Sequence, residues 1–187
     1  ADNDDFEVTP WDVEGHVDYQ RLIDKFGTER LTDSLKQRLF TLAGQDNLYL
    51  RRDFIFSHRD LDDVLDNYED GDDFFLYTGR APSGKMHIGH IVSFYLTKWF
   101  QDAFNQIPDD EKYWAKDTLS LSDIDHYATE NIRQIAAVGF DPDKTFIFRN
   151  REYIGNMYDA AIKVSNEVNY SVAQSVFGFN SATNIGM

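Results

Sequence analysis

The feature that most restricts how this chain can fold is an apolar run that leads into a glycine-bearing turn and then a long helix-like stretch. Phe74-Phe75-Leu76-Tyr77 contains no polar position. Such a run suits a strand buried in a parallel sheet better than an alternating, one-faced strand. Thr78-Gly79-Arg80-Ala81-Pro82-Ser83-Gly84 follows, with two glycines that permit a tight turn. In residues 87–104 the side chains Ile91, Phe94, Tyr95, Lys98, Trp99 and Asp102 then recur at helical spacings. Strand, glycine turn and helix open an α/β fold. That fold requires the helix to return the chain to a parallel neighbouring strand. Between Asn105 and the turn at Pro108-Asp109-Asp110 no run of four apolar residues exists. The second strand is therefore expected to be missing and the sheet to be incomplete.

The flanking segments extend this outline. Residues 1–16 are acidic and carry Pro10 and Trp11, which suggests an extended arm anchored by an aromatic. Leu22, Ile23 and Phe26 predict a helix over 18–26 that stops at Gly27. Leu35, Leu39 and Leu42, with Phe40 at the edge, predict a second over 32–43 that stops at Gly44. Phe54-Ile55-Phe56 reads as a short strand, and Leu61, Val64, Leu65 and Tyr68 as one side of a helix over 60–68, broken by Asp70-Gly71-Asp72. Beyond the glycine turn, helices are expected over 119–138 and 152–168, with a strand over 145–148 between them. The division that results is a mainly helical N-terminal extension over 1–70 and an α/β unit over 71–187.

Charge decides what kind of surface this is. Asp and Glu number 33 against 18 Lys and Arg, a formal charge of −15 spread along the chain in recurring runs. High negative charge usually marks disorder, but 15% aromatic residues supply more ring surface than a disordered chain carries. The acidity is better read as the surface of a folded protein from a salt-rich cytoplasm. At molar salt the screening length falls to about 3 Å, so repulsion between carboxylates nearly vanishes. Screening also weakens phosphate contacts, so the sign of the charge leaves a nucleic-acid partner open. Cysteine is absent, which excludes disulfides, thiolate catalysis and iron–sulfur ligation. Apolar stretches are only a few residues long and no charged leader precedes one near Ala1, so a cytoplasmic protein without a membrane span is expected.

The chemistry concentrates in Tyr77-Thr78-Gly79-Arg80-Ala81-Pro82-Ser83-Gly84-Lys85-Met86-His87-Ile88-Gly89-His90. A helix that starts near His87 offers free amide donors and the positive end of its dipole to an anion. His87 and His90 stand three apart on one face, so both rings can reach the same phosphate-bearing ligand, and Gly89 leaves a gap in which a flat base can lie. From the residues alone the pair also admits a solvated or locally capped reading. Two histidines without a third ligand at fixed spacing make a poor metal site, and no metal centre is assigned.

His87-Ile88-Gly89-His90 resembles the first signature of class I aminoacyl-tRNA synthetases, and the longer string resembles the tryptophanyl-tRNA synthetases of archaeal and eukaryotic type. Pro10-Trp11, Val13-Glu14-Gly15, Val17-Asp18-Tyr19, Phe26-Gly27, Phe56-Ser57-His58-Arg59-Asp60, Asp109-Asp110-Glu111-Lys112-Tyr113 and Phe177-Gly178-Phe179 resemble that family in the same order. The resemblance implies a Rossmann-like sheet of the HUP type with flanking helices, and ATP-dependent activation of L-tryptophan followed by transfer to its tRNA. It implies ATP with Mg²⁺ held by Thr78, Gly79, Arg80, His87, Gly89 and His90, with His87, His90 and Lys112 acting on the phosphates. Tyr77, Gln106 and Glu111 would line the tryptophan pocket, two oxygens accepting the indole N–H and Glu111 pairing the ammonium. Taken singly, Tyr77 also reads as a core aromatic and Glu111 as a solvated acid. A homodimer, a cytoplasmic location and, given the acidic surface, a halophilic archaeal source go with the resemblance.

Two departures qualify it. A Lys-Met-Ser-Lys-Ser-like loop is absent, Asn184-Ile185-Gly186-Met187 being the nearest approach, as are the family's second catalytic half and anticodon-binding domain. The chain is thus expected to carry part of the site and to be inactive alone. The family also has an apolar strand where this chain reads Asn105-Gln106, so residues are expected to be missing there. Two other functions stay open: a non-catalytic nucleotide-binding or interaction fragment, and another nucleotidyltransferase of the same HIGH superfamily. The segments around Trp11–Gly27 and Asp109–Lys112 speak against the last.

Overall fold

A computed structural model describes residues 7–8, 13–14, 19–104, 108–110 and 120–177. The first elements are the two-residue strands β1 (Glu7–Val8) and β2 (Val13–Glu14), which pair antiparallel. Pro10 and Trp11, the expected anchor, lie outside the described residues. Helix α1 (Tyr19–Phe26) ends at Gly27, whose φ of 58° places it in the left-handed region. Strand β3 (Glu29–Arg30) leads to α2 (Asp33–Ala43). Thr32 caps α2 by accepting the Leu35 N–H at 3.2 Å, and Gly44 ends it at φ 67°.

Leu35 and Leu39 of α2 are buried as their spacing requires, with Leu31, Leu50, Leu65 and Phe104 in the same core. Lys36 is buried beside them, a position that periodicity leaves polar and exposed. Its ammonium is held 2.7 Å from both Asp33 and Asp53, so the charge leaves water with partners. Asn47 caps the short helix α3 (Leu48–Arg51), and α4 (Leu61–Glu69) completes this part of the chain.

The strand expected at Phe54-Ile55-Phe56 is instead β4 (Ser57–His58), paired antiparallel with β3. The reason is local: the N–H groups of Phe54 and Ile55 turn back onto the Tyr49 carbonyl, at 2.9 and 3.4 Å, and cannot enter a ladder. Phe54 is 60% exposed as a result.

Strands β5 (Leu76–Thr78), β6 (Pro108–Asp110) and β7 (Phe146–Ile147) form a three-stranded parallel sheet in that order, with helix α5 (Ile88–Phe104) between β5 and β6. This corrects the expectation of a missing second strand. Its slot is filled by Pro108-Asp109-Asp110, in register with Leu76-Tyr77-Thr78 on one side, and Asp109 and Asp110 face Phe146 and Ile147 on the other. A three-residue ladder is made by backbone groups, so nothing in its pairing requires apolar side chains. The run at 74–77 is also less buried than expected. Phe75 is 76% and Tyr77 59% exposed, so burial alternates along the strand.

Helix α5 contacts β5 and β6 and buries Val92, Phe94, Thr97, Gln101 and Phe104. Gln101, 3% exposed, donates to Thr145 Oγ1 at 3.1 Å and accepts the Asp141 N–H at 2.9 Å, which ties α5 to the approach to β7. Trp99 Nε1 donates to the Asp46 carbonyl at 3.1 Å, and Phe104 meets Tyr68 and Phe74 at ring distances of 5.0 and 5.5 Å. The helical part before the glycine turn and the α/β unit after it thus share one core. Helix α6 (Leu121–Ala136) starts at a capping box between Ser120 and Asp123. A 3₁₀ turn at Pro142–Lys144 precedes β7, and α7 (Asn150–Glu167) follows it. Helix α8 (Tyr170–Phe177) lies beyond the last helix that periodicity indicated.

Candidate functional site

Strand β5 delivers Tyr77 and Thr78 to the edge of the turn, and α5 begins where the turn ends. The His87 carbonyl accepts the His90 N–H at 2.9 Å and the Ile91 N–H at 3.4 Å, so His87 stands at the cap of α5. Its own N–H donates to His90 Nδ1 at 3.2 Å. That bond places the proton of neutral His90 on Nε2, a donor at the helix N-terminus. The two imidazoles pack with centroids 3.6 Å apart and planes 36° apart. Burial, with the nearby Arg80 and His87, holds His90 below the ordinary histidine pKa. It is therefore kept as a neutral donor.

Gly89 gives His87 its place. A Cβ there would stand 3.2 Å from Cε1 and 3.3 Å from Nδ1 of the His87 ring. The gap expected for a flat base is occupied by this ring in the structure.

Arg80 is half-buried, and burial pulls its guanidinium below the usual arginine pKa. Its Nε lies buried without a hydrogen-bond partner. It lines a narrow pocket with Pro82, Asn131, Ile135, Phe148 and Arg149. Arg149 is already engaged, donating to Thr129 Oγ1 at 2.7 Å and to Glu152 at 3.1 Å. Asn131 and Arg149 are the residues that the sequence reading did not single out. Asn131 left one trace there, a lone amide between Ala128 and Ile135 in the apolar stripe of α6.

The structure thus places Thr78 at the end of β5, Gly79 and Arg80 in the turn that follows, and His87, Gly89 and His90 together at the start of α5, with Arg80 near His90. Tyr77 is on the same strand and is 59% exposed in this chain. Gln106, Glu111 and Lys112 lie outside the described residues. In sequence Glu111 and Lys112 directly follow β6, whose last residue, Asp110, is the ladder partner of Thr78. Ligands of open parallel sheets gather at the carboxyl ends of the strands. A further signal is electrostatic: no Asp or Glu occurs between Asp73 and Asp102, in a chain with 33 of them. Arg80, Lys85, His87 and His90 therefore form an island without acids of its own, suited to an anion.

Glu29, His58 and Asp62 bring one ligand atom each within 4.8 Å of one another on other elements, β3, β4 and α4. His58 Nδ1 already accepts the Leu61 N–H at 3.3 Å. No helix among the described residues is long and apolar enough to cross a membrane.

The arrangement can be compared with known proteins. Residues 69–181 match the family model of class I tRNA synthetases (W and Y). A tryptophan–tRNA ligase of Thermococcus kodakarensis is 54% identical over 190 residues, covering 98% of this chain and 49% of the relative. One from Saccharolobus solfataricus is 50% identical, covering 98% of this chain and 50% of its own. The chain thus spans about half the length of the curated relatives it matches. The stretch aligned with the Thermococcus relative, 190 residues, is longer than this 187-residue chain, so that relative carries residues without a counterpart here. Among solved structures, a tryptophanyl-tRNA synthetase from Encephalitozoon cuniculi bound to tryptophan superposes with a TM-score of 0.79 at 37% identity, over 91% of this chain and 49% of that one. The Plasmodium falciparum enzyme gives 0.78 at 37% identity, over the same shares. With the first signature at the start of α5 and this fold around it, the chain belongs to the class I tRNA synthetases of the tryptophan and tyrosine family.

Proposed function

We propose that this chain supplies the nucleotide corner of a tryptophan–tRNA ligase, which activates L-tryptophan with ATP and passes it to its tRNA. The observation that carries the proposal is the pair His87 and His90 at the N-terminus of α5, behind the Gly79–Gly84 turn, in a chain 54% identical to such a ligase. In activation the tryptophan carboxylate attacks the α-phosphate of ATP in line and pyrophosphate leaves. No protein nucleophile is required, so the protein acts by positioning and by stabilising charge.

The described side chains suit that task. The free N–H groups at the start of α5, the His90 Nε2–H and the Arg80 guanidinium all offer donors to phosphate oxygens. Mg²⁺ held by the nucleotide's phosphates would neutralise part of their charge. Thr78, Gly79 and Gly89 hold the rest of ATP, with Lys112 toward the phosphates. Tyr77 and Gln106 accept the indole N–H, and Glu111 pairs the ammonium. We assign residues 1–70 to an N-terminal extension and 71–187 to the first half of the catalytic domain, a division supported by the start of the family match at residue 69. The residues without counterpart here are assigned to the stretch between Asn105 and Gln106. The remaining half of the site, the tRNA contacts and a dimer partner belong to the longer protein, in a cytoplasm rich in salt.

A second reading, a nucleotide-binding fragment without catalysis, is favoured by the half-length coverage of the relatives. Intact mass spectrometry, which asks whether the polypeptide continues beyond Met187, separates the two, and pyrophosphate exchange tests the first. The full-length enzyme should support exchange with tryptophan and not with tyrosine, because a pocket built on one buried polar group rejects a mismatch by roughly 10⁴ or more. Replacing both His87 and His90 by alanine should lower the exchange rate far more than tryptophan affinity. Exchange supported equally by tyrosine would overturn the substrate assignment, and equal losses of rate and affinity the role of the histidines.

A further inference from the structure

Among the described residues, three buried side-chain atoms have no hydrogen-bond partner: Arg80 Nε and both amide atoms of Asn131. They belong to two residues that line the same narrow pocket. Asn131 is 4% exposed and sits in the buried stripe of α6 between Ala128 at 9% and Ile135 at 4%. An apolar side chain would fill that position without the penalty that an unpaired buried amide brings. Arg80 Nε–H is a donor, and Asn131 carries an acceptor whichever way its amide is turned. The orphaned groups are therefore complementary in hydrogen-bond type.

Arg80 also lies close enough to His90 to disfavour protonation of that ring. Arg80 thus borders both the pocket it shares with Asn131 and the histidine pair, and its Nε is buried without a partner. We infer that Asn131 is a positioning residue: its amide oxygen takes the Arg80 Nε–H when nucleotide binds, and so aims the outer guanidinium nitrogens at the phosphates at the start of α5. This rests on the reading of residues 78–90 as the ATP site. Asn131 lies on α6, away from the glycine turn in sequence, and does not itself touch the nucleotide.

The test uses the full-length synthetase and pyrophosphate exchange, with ATP and tryptophan varied separately. Asn131→Leu, similarly branched and without polar atoms, should lower kcat/KM for ATP at least tenfold and leave KM for tryptophan within twofold. Asn131→Asp keeps the acceptor and should retain most of the activity. In an Arg80→Ala background Asn131→Leu should have no further effect, since the group it positions is gone. If Asn131→Leu does not fold, Asn131→Ser, too short to span the contact, takes its place in the same cycle. An Asn131 effect of undiminished size without Arg80, or equal losses toward ATP and tryptophan, would overturn the inference alone. An Arg80→Ala enzyme with unchanged ATP kinetics would instead overturn the nucleotide reading, and the inference with it.

Discussion

Gly89→Ala separates stability from function at the start of α5. Gly89 lies in the first turn of that helix, is exposed and has no positive φ, so its backbone is one that alanine adopts readily. Taken as a helical position alone, the change should stabilise the fold by about 0.5–1 kcal/mol, because glycine loses more chain entropy on folding. The new Cβ, however, would stand 3.2 Å from Cε1 and 3.3 Å from Nδ1 of His87. Carbon contacts relax at about 3.5–4.0 Å, so the ring must withdraw by a few tenths of an ångström. His87 is exposed, which keeps the cost in stability small. Swinging out, however, alters the 3.6 Å packing on His90 and moves an imidazole away from the position proposed for the phosphates. Losing one well-placed donor to developing charge is worth about 1.4–2.8 kcal/mol, or roughly 10–100-fold in rate. Thermal unfolding should therefore show a melting temperature equal to or above that of the parent. Pyrophosphate exchange by the full-length enzyme should fall by at least tenfold. Exchange within twofold of the parent would refute the argument that the space beside His87 matters. A drop in melting temperature would refute the treatment of Gly89 as an ordinary helical position.

Other consequences can be checked in parallel. His90 has a folded pKa below its unfolded value, so the unfolded chain binds the proton more readily as pH falls. Its contribution to stability is full above about pH 6.5 and is lost as pH drops through the lower folded value, and removal of that slope in His90→Gln, followed by urea melts from pH 8 to 5, is the expected result. Ser120→Ala removes the N-cap of α6, where Ser120 Oγ accepts the Asp123 N–H at 3.2 Å, and should destabilise by about 1 kcal/mol in chemical unfolding. If the 33 acids against 18 basic residues are a surface adapted to salt, the melting temperature should rise between roughly 0.2 and 2 M KCl. A flat or falling curve would remove that explanation of the charge.

What was legible in the sequence is what one element decides by itself. Helix α2 was readable because its cap, Thr32, its stop, Gly44, and its buried leucines all lie within a dozen residues and act through neighbouring backbone. The same holds for the string from Tyr77 to His90, whose turn, helix start and paired imidazoles are local. Tertiary structure decided whatever depends on a partner far along the chain. Strand β6 has no apolar signal, because Pro108-Asp109-Asp110 becomes a strand only through the backbones of β5 and β7 on either side. Phe54-Ile55-Phe56 carries a strand's composition, yet its donors are taken by Tyr49, and the ladder moves on to Ser57-His58. Lys36 could be buried only because Asp53 arrives from another turn to meet it. Asn131 shares a pocket with Arg80 only when α6 is laid against the turn that holds Arg80. Caps and periodicity act over a few residues and are written in order, whereas ladder partners and buried charges are matched across space, where sequence order carries no distance.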